Sequence, residues 1–236
     1  MVLACLALAA CRRENAAPPA DARADSAAPA EIAAPGDSRP VLLFLGTSLT
    51  AGLGVEPDSA YPAVLQRRVD SLQLAWRVQN GGVSGETSAG LLRRLPWLLQ
   101  GRLAIVVIET GANDGLRGLD VDSTRANIEA IISQVRAHDS LTEIVLVGMQ
   151  APPNMGPRFT RGFAALYGDV ARREHLALIP FLLERVGGVD SLNQNDGIHP
   201  NPAGHRIVAD NVWRVIGPMI RSRQSEVGAR AARPTP

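Results

Sequence analysis

The chain has 236 residues, 46% of them hydrophobic and 20% charged, the usage of a globular protein with one domain or two. A net charge of +1 and only 4% aromatic residues exclude a strong field for nucleic acid or anionic membrane, and a basic surface studded with rings. Both cysteines, Cys5 and Cys11, fall in the first segment, so the remainder can hold neither a disulfide nor a thiolate metal site.

Met1 to Ala10 is apolar and rich in Ala and Leu. It is too short to span a bilayer as a helix and suits the core of a secretory signal. Leu8-Ala9-Ala10-Cys11 resembles a bacterial lipobox, in which cleavage precedes a cysteine that receives lipid. Residues 1–11 are therefore expected to be a signal with Cys11 as the lipidation point. A plain signal with a small-residue cleavage site is the alternative. From residue 12 to 39 Ala, Pro, Asp and Ser dominate and Ile32 is the one large apolar residue. Such a stretch cannot bury enough surface to fold. It reads as a disordered tether with a reach on the order of 80 Å, holding an exported domain in the bacterial cell envelope, on the periplasmic side.

A folded domain is expected over residues 40–221. Val41 to Leu45 is a continuous apolar run, hence a strand buried on both faces. Gly46, Thr47 and Ser48 follow, and then Thr50 to Gly54, small and flexible. Tyr61 to Leu74 has helical spacing, with Pro62 in its first turn. Trp76 to Asn80 is a short strand, residues 81–88 a Gly-rich loop, and Thr87 to Leu99 a helix bent or interrupted at Pro96. Leu103 to Ile108 is a second central strand. After the loop Glu109 to Gly115, Ser123 to His138 places four aliphatic residues on one helical face. Glu143 to Met149 is a strand and Ala151 to Pro157 a loop. Phe159 to Glu174 is a helix and Leu176 to Pro180 a fifth strand. A short helical turn over Phe181 to Val186, a loop over Asn193 to Pro202 and a helix over Ala203 to Ile220 complete the domain. Residues 222–236 are polar and read as a disordered tail. Strands and helices alternate five times, which predicts an α/β fold: three layers, a five-stranded parallel sheet, helices on both faces.

Ligands of such sheets bind at the carboxyl ends of the strands, so the loops that follow strands carry the argument. Ser48 follows the first strand; read alone, it is a helix cap. Gly85 follows the second. It lets the backbone approach another group and offers an N–H donor, or it simply precedes a helix capped by Thr87 or Ser88. Asn113 follows the third, in Gly-Ala-Asn-Asp-Gly. Its amide can donate to an oxyanion, or it is a turn residue with Asp114 fixing the turn. Glu109 ends a buried strand, must find donors there, and reads as structural. In Asp196-Gly197-Ile198-His199-Pro200-Asn201 a tight turn brings the carboxylate within reach of one ring nitrogen and frees the other to take a proton. His138 and His175 lack this context, and His205 reads as a helix surface residue. A metal site of His199, His205 and Asp196 is the weaker reading, without Cys or a His-Glu-x-x-His helix to support it.

Together, Ser48, Gly85, Asn113 and His199, with Asp196 three residues before the histidine, resemble the SGNH hydrolases, also called the GDSL esterase family. Ser-Gly-Glu-Thr-Ser, Gly-Ala-Asn-Asp-Gly-Leu-Arg-Gly and Asp-Gly-Ile-His-Pro-Asn are near matches to its bacterial thioesterase/arylesterase/lysophospholipase branch, and the likeness runs from about Val41 to Ile220. The resemblance implies a flavodoxin-like fold and a serine esterase for short to medium acyl esters, thioesters or lysophospholipids, working without metal or organic cofactor. It implies a nucleophile at Ser48, a base at His199 oriented by Asp196, and an oxyanion hole of Ser48, Gly85 and Asn113. Thr47 stands where the family usually has Asp. Leu116, Pro153, Met155 and Phe159, on the loops after the third and fourth strands, are expected to wall the acyl pocket. Deacetylation of a carbohydrate, and a tethered binding module without catalysis, are the rival functions.

Overall fold

The computed structural model describes residues 37–231. The expected signal, Cys11 and the tether up to residue 36 lie outside the described residues, as do residues 232–236. Five strands, β1 Val41–Gly46, β2 Arg77–Gly82, β3 Leu103–Ile108, β4 Glu143–Val147 and β5 Ala177–Ile179, pair in parallel in the order β2-β1-β3-β4-β5. The register sets Leu45 of β1 between Gly81 of β2 and Ile108 of β3. Every residue of β1 and β3 is buried, the reason both read as unbroken apolar runs. β2 lies at the edge and is mostly half-exposed, so its sequence is polar. Each fully buried aliphatic side chain, such as Leu43 or Ile105, contributes about 2 kcal/mol through removal from water.

Among the described residues the helices are α1 Ser48–Ala51, α2 Tyr61–Ser71, α3 Ser88–Leu98, α4 Ala112–Leu116, α5 Val121–His138, α6 Pro157–Arg173 and α7 Pro202–Ala231. α2 packs with α7, while α3, α5 and α6 pack in succession, and these two groups flank the sheet. No described helix is long and apolar enough to cross a membrane. From β1 the chain steps outward to β2 and then back across to β3. The crevice of such a fold opens where this reversal occurs, at the carboxyl ends of β1 and β3.

The structure corrects several boundaries. The stretch after Ser48, expected to be flexible, begins as α1, and the loop with Asn113 contains α4. Helices of four and five residues are too short to display a period. α3 runs unbroken through Pro96, which sits in its last turn. Residues 181–186 form turns, with the Val186 and Gly187 N–H groups both donating to the Leu183 carbonyl. The tail expected to be disordered from residue 222 continues α7 to Ala231. The apolar stripe ends near Ile220, but Arg223 donates to Glu143 Oε1 at 2.5 Å and to the Leu141 carbonyl at 2.5 Å, which ties the extension to the start of β4. At the other end the tether stops sooner than expected, because Asp37 pairs with Arg39 at 2.9 Å and with Arg77 at 3.6 Å.

Candidate active site

β1 delivers the chain into α1 through Gly46. A Cβ there would lie 2.0 Å from Thr50 Oγ1 and 2.7 Å from Glu109 Oε2, so only glycine allows so sharp an entry. Below the turn sits Glu109, fully buried at the end of β3. It accepts the Thr47 N–H at 2.7 Å, the Thr47 hydroxyl at 3.0 Å and the Thr50 hydroxyl at 2.9 Å. Thr50 Oγ1 lies 2.7 Å from the Tyr61 hydroxyl. Burial raises the Glu109 carboxyl to about 7 against the pull of these donors, the Thr47 N–H first. Thr47, at the position where the resemblance expects Asp, gives Glu109 two donors, its N–H and its hydroxyl.

Asp196 and His199 occupy a small hairpin closed by an antiparallel bridge between Asn193 and Pro200. Asp196 Oδ1 accepts the Ile198 N–H at 2.9 Å and the His199 N–H at 3.0 Å, a geometry that Gly197 permits with φ +68°. Asp196 Oδ2 lies 2.6 Å from His199 Nδ1, and His199 Nε2 lies 2.9 Å from Ser48 Oγ. The His199 backbone N–H, then its ring, then the Ile198 N–H hold the Asp196 carboxyl down to about 2. With Nδ1–H directed at the carboxylate, Nε2 faces the serine with its lone pair. Gln194 joins this hairpin to the loop after α1: its Nε2 donates to the Leu53 carbonyl at 2.7 Å and to the Pro200 carbonyl at 3.0 Å.

The loops after β2 and β3 meet each other through side chains. Gly85 has φ +76°, and its carbonyl accepts Arg117 Nη2 at 3.0 Å. Asn113, on the first turn of α4, donates from Nδ2 to the Glu86 carbonyl at 2.9 Å. Its second amide hydrogen is available to a ligand. Asp114 accepts from the Ser88 N–H at 2.9 Å and the Ser88 hydroxyl at 2.5 Å, which ties α4 to the first turn of α3 and not, as the sequence context suggested, to its own turn. Ser48 opens α1, where backbone donors have no intrahelical partner. The structure thus brings together a hydroxyl, a base and a carboxylate, a set able to transfer an acyl group through serine, while Gly85 and Asn113 stand on the loops after β2 and β3, tied to each other's loops.

The four residues expected to wall an acyl pocket are less uniform. Leu116 is 44% exposed at the end of α4. Pro153 is exposed in the turn Pro153–Met155. Met155 reaches across to Gly118, where a Cβ would lie 2.7 Å from its methyl. Phe159 is half-buried and stacks on Phe163 at 5.9 Å between centroids. Leu116 and Met155 therefore border the junction of the two loops, while Phe159 also belongs to the packing of α6.

His205 corrects its expected place on the helix surface: it is 1% exposed. Its Nδ1 accepts the Tyr61 N–H at 3.3 Å, and the rings stack at 6.4 Å. Burial first, and then the charge of His199, push its pKa down to about 4. Among the described residues no three His, Cys, Asp or Glu side chains form a group that could hold a metal ion. Gln194 gave no signal, since one polar residue in a polar loop looks like any other. Tyr61 reads as the first apolar residue of a helix, which hides the hydroxyl that reaches Thr50.

Residues 44–207 match the model of the GDSL-like lipase/acylhydrolase family. Esterase TesA of Pseudomonas aeruginosa is 43% identical over 180 residues, 76% of this chain and 89% of that protein. Thioesterase 1/protease 1/lysophospholipase L1 of Escherichia coli K12 is 36% identical over 180 residues, 76% of this chain and 84% of its own. Among solved structures, the psychrotrophic esterase EstA from Pseudoalteromonas, inhibited by monoethylphosphonate, superposes with a TM-score of 0.72 at 32% identity, covering 77% of this chain and 98% of EstA.

Proposed function

This chain belongs to the GDSL-like lipase/acylhydrolase family, and from that premise we propose that it hydrolyses carboxylic esters and thioesters of short to medium acyl chains through an acyl-Ser48 intermediate. One observation carries the reading: the unbroken line of hydrogen bonds from Asp196 Oδ2 through His199 to Ser48 Oγ, at 2.6 and 2.9 Å. Ser48 Oγ attacks the carbonyl carbon while His199 Nε2 takes its proton. Asp196 keeps the ring turned and stabilises the imidazolium. The oxyanion is held by the N–H groups of Ser48 and Gly85 and the Asn113 amide. His199 returns the proton to the departing oxygen or sulfur. Water activated by the same ring then releases the acid. The names of the relatives support the ester, thioester and lysophospholipid range; the apolar Leu116 and Met155 support an acyl chain lying toward the loops after β3 and β4.

A fluorophosphonate probe should label the full chain, and Ser48→Ala should abolish the label together with p-nitrophenyl ester hydrolysis. Labelling that survives in Ser48→Ala would assign the nucleophile elsewhere. For location, Leu8-Ala9-Ala10-Cys11 supports export and lipid attachment at Cys11, with the domain on the periplasmic side of the cell envelope. Metabolic palmitate labelling should then disappear in Cys11→Ala, and equal labelling of both chains would remove the anchor.

A further inference from the structure

The hydroxyl and the imidazole stand 151 positions apart in the chain. Ser48 belongs to the turn from β1 into α1, and His199 to the hairpin that precedes α7. Among the described residues, two hydrogen bonds cross between residues 46–56 and residues 190–201: His199 Nε2 with Ser48 Oγ, and Gln194 Nε2 to the Leu53 carbonyl. The second completes a brace. Gln194 N–H donates to the His199 carbonyl at 2.8 Å. The Gln194 side-chain amide donates to the Leu53 carbonyl at 2.7 Å. Leu53 N–H donates to the Ser48 carbonyl at 3.0 Å. Three bonds in series therefore run from the backbone of His199 to the backbone of Ser48, alongside the bond between their side chains. Gln194 is itself firmly set. Its carbonyl accepts the Gly197 N–H at 2.9 Å, and its Nε2 also donates to the Pro200 carbonyl at 3.0 Å, so both amide hydrogens are spent and the side chain has one orientation. Gly54 has φ +75°, and a Cβ there would run into Gln194 Oε1, so glycine leaves the amide its room.

The brace matters most in one half of the turnover. In the free enzyme the Ser48–His199 bond also holds the two segments together. Once Ser48 Oγ carries an acyl group it has no hydrogen to donate, and His199 Nε2 has to face water instead. In that state the side-chain tie is gone and the brace remains. We propose that Gln194 is a positioning residue for deacylation, keeping His199 over the acyl-Ser48 ester while water attacks. The water oxygen bonds to the acyl carbon as its proton passes to His199 Nε2. The bond from that carbon to Ser48 Oγ then breaks, and Nε2 returns the proton to Oγ, which restores the hydroxyl and frees the acid. A base displaced by about 1 Å costs up to about 100-fold in such a step. The proposal rests on the reading of Ser48 as nucleophile and deepens it.

The test uses the full chain and p-nitrophenyl butyrate, and reads the two halves of the reaction separately. kcat/KM reports the steps up to acylation. Deacylation is read from the decay of the acyl-enzyme, trapped by rapid acid quench and weighed as intact protein. Gln194→Met keeps the reach of the side chain and removes its donors. In it the acyl-enzyme should live about tenfold longer, while kcat/KM falls by less than about threefold. A merely structural role would change the fraction of folded protein and leave the lifetime of an acyl group on the folded molecules where it was. Gly54→Ala displaces the amide from the other side of the same contact and should give the same split. The double variant should be no slower than the slower single, since both substitutions break one brace. A lifetime within about twofold of the parent in both single variants overturns the proposal, as do equal changes in lifetime and kcat/KM, or effects of the two substitutions that multiply. Absence of p-nitrophenyl ester hydrolysis by the parent chain would instead count against the proposed function.

Discussion

At the scale of single residues, the site depends on side chains that already have partners. Asn113 donates one amide hydrogen to Glu86 before any ligand arrives, so its orientation is set in advance and the other hydrogen need not be ordered during the reaction. Asn113→Ala should therefore lower kcat about 100-fold, the consequence of one lost oxyanion donor, with KM for a p-nitrophenyl ester moved far less. A drop below about threefold would remove Asn113 from the oxyanion hole. Asn113→Ala also frees the Glu86 carbonyl, so thermal denaturation of the variant is measured beside its kinetics to separate chemistry from loosening of the loop. Ser48 was legible because it stands just after a strand, and Asp196 and His199 because their three-residue spacing permits the bonds now seen. Glu109 was legible as a buried acid in need of donors, but not which donors: Thr47 and Thr50 lie 62 and 59 residues away in sequence.

Among elements, α1 is closely set. It lies against the end of β2, where a Cβ on Gly82 would fall 2.3 Å from the Ala51 nitrogen and 2.8 Å from the Thr50 carbonyl carbon. These are backbone atoms and cannot swing aside. Gly82→Ala should displace α1 and carry Ser48 out of line with His199, with esterase activity falling at least about tenfold, as misplacement by a fraction of an ångström does. Activity and stability within error of the parent would show that α1 has room to shift. The central strands β1 and β3 were legible because burial on both faces demands unbroken apolar runs. α1 and α4 were not, being shorter than any period, and the end of α7 was not, being held by polar bonds from Arg223 to residues 80 and 82 positions away. His205 was misplaced for a related reason: polarity suggested the surface, and only the packing of α2 on α7 brings Tyr61 to its ring.

For the whole molecule, Glu109 and His205 make stability respond to pH in opposite senses. The Glu109 pKa rises on folding from 4.5 to about 7, so the folded state holds the extra proton. The stability it contributes is present below pH 4.5 and is lost as pH rises through 7. The His205 pKa falls on folding from 6.5 to about 4, so the unfolded state holds the extra proton. Stability from this group is present above pH 6.5 and is lost as pH falls toward 4. Relative to the parent, Glu109→Gln should fare better at pH 8 than at pH 5, by on the order of 2 kcal/mol. His205→Asn, which keeps an acceptor for the Tyr61 N–H, should fare better at pH 5 than at pH 8. Denaturation of the three proteins at both pH values checks this, and curves running parallel to the parent would show that neither pKa changes on folding. The sheet order has one more consequence. The imidazole is carried by the chain that leaves β5, a strand of three residues at the rim, whereas the hydroxyl stands just past the end of β1, an inner strand. Rims fray before centres do, so on warming the proton relay should part while the hydrophobic heart is still whole. Turnover would then fade below the melting temperature and return on cooling, making catalysis a thermometer for the rim.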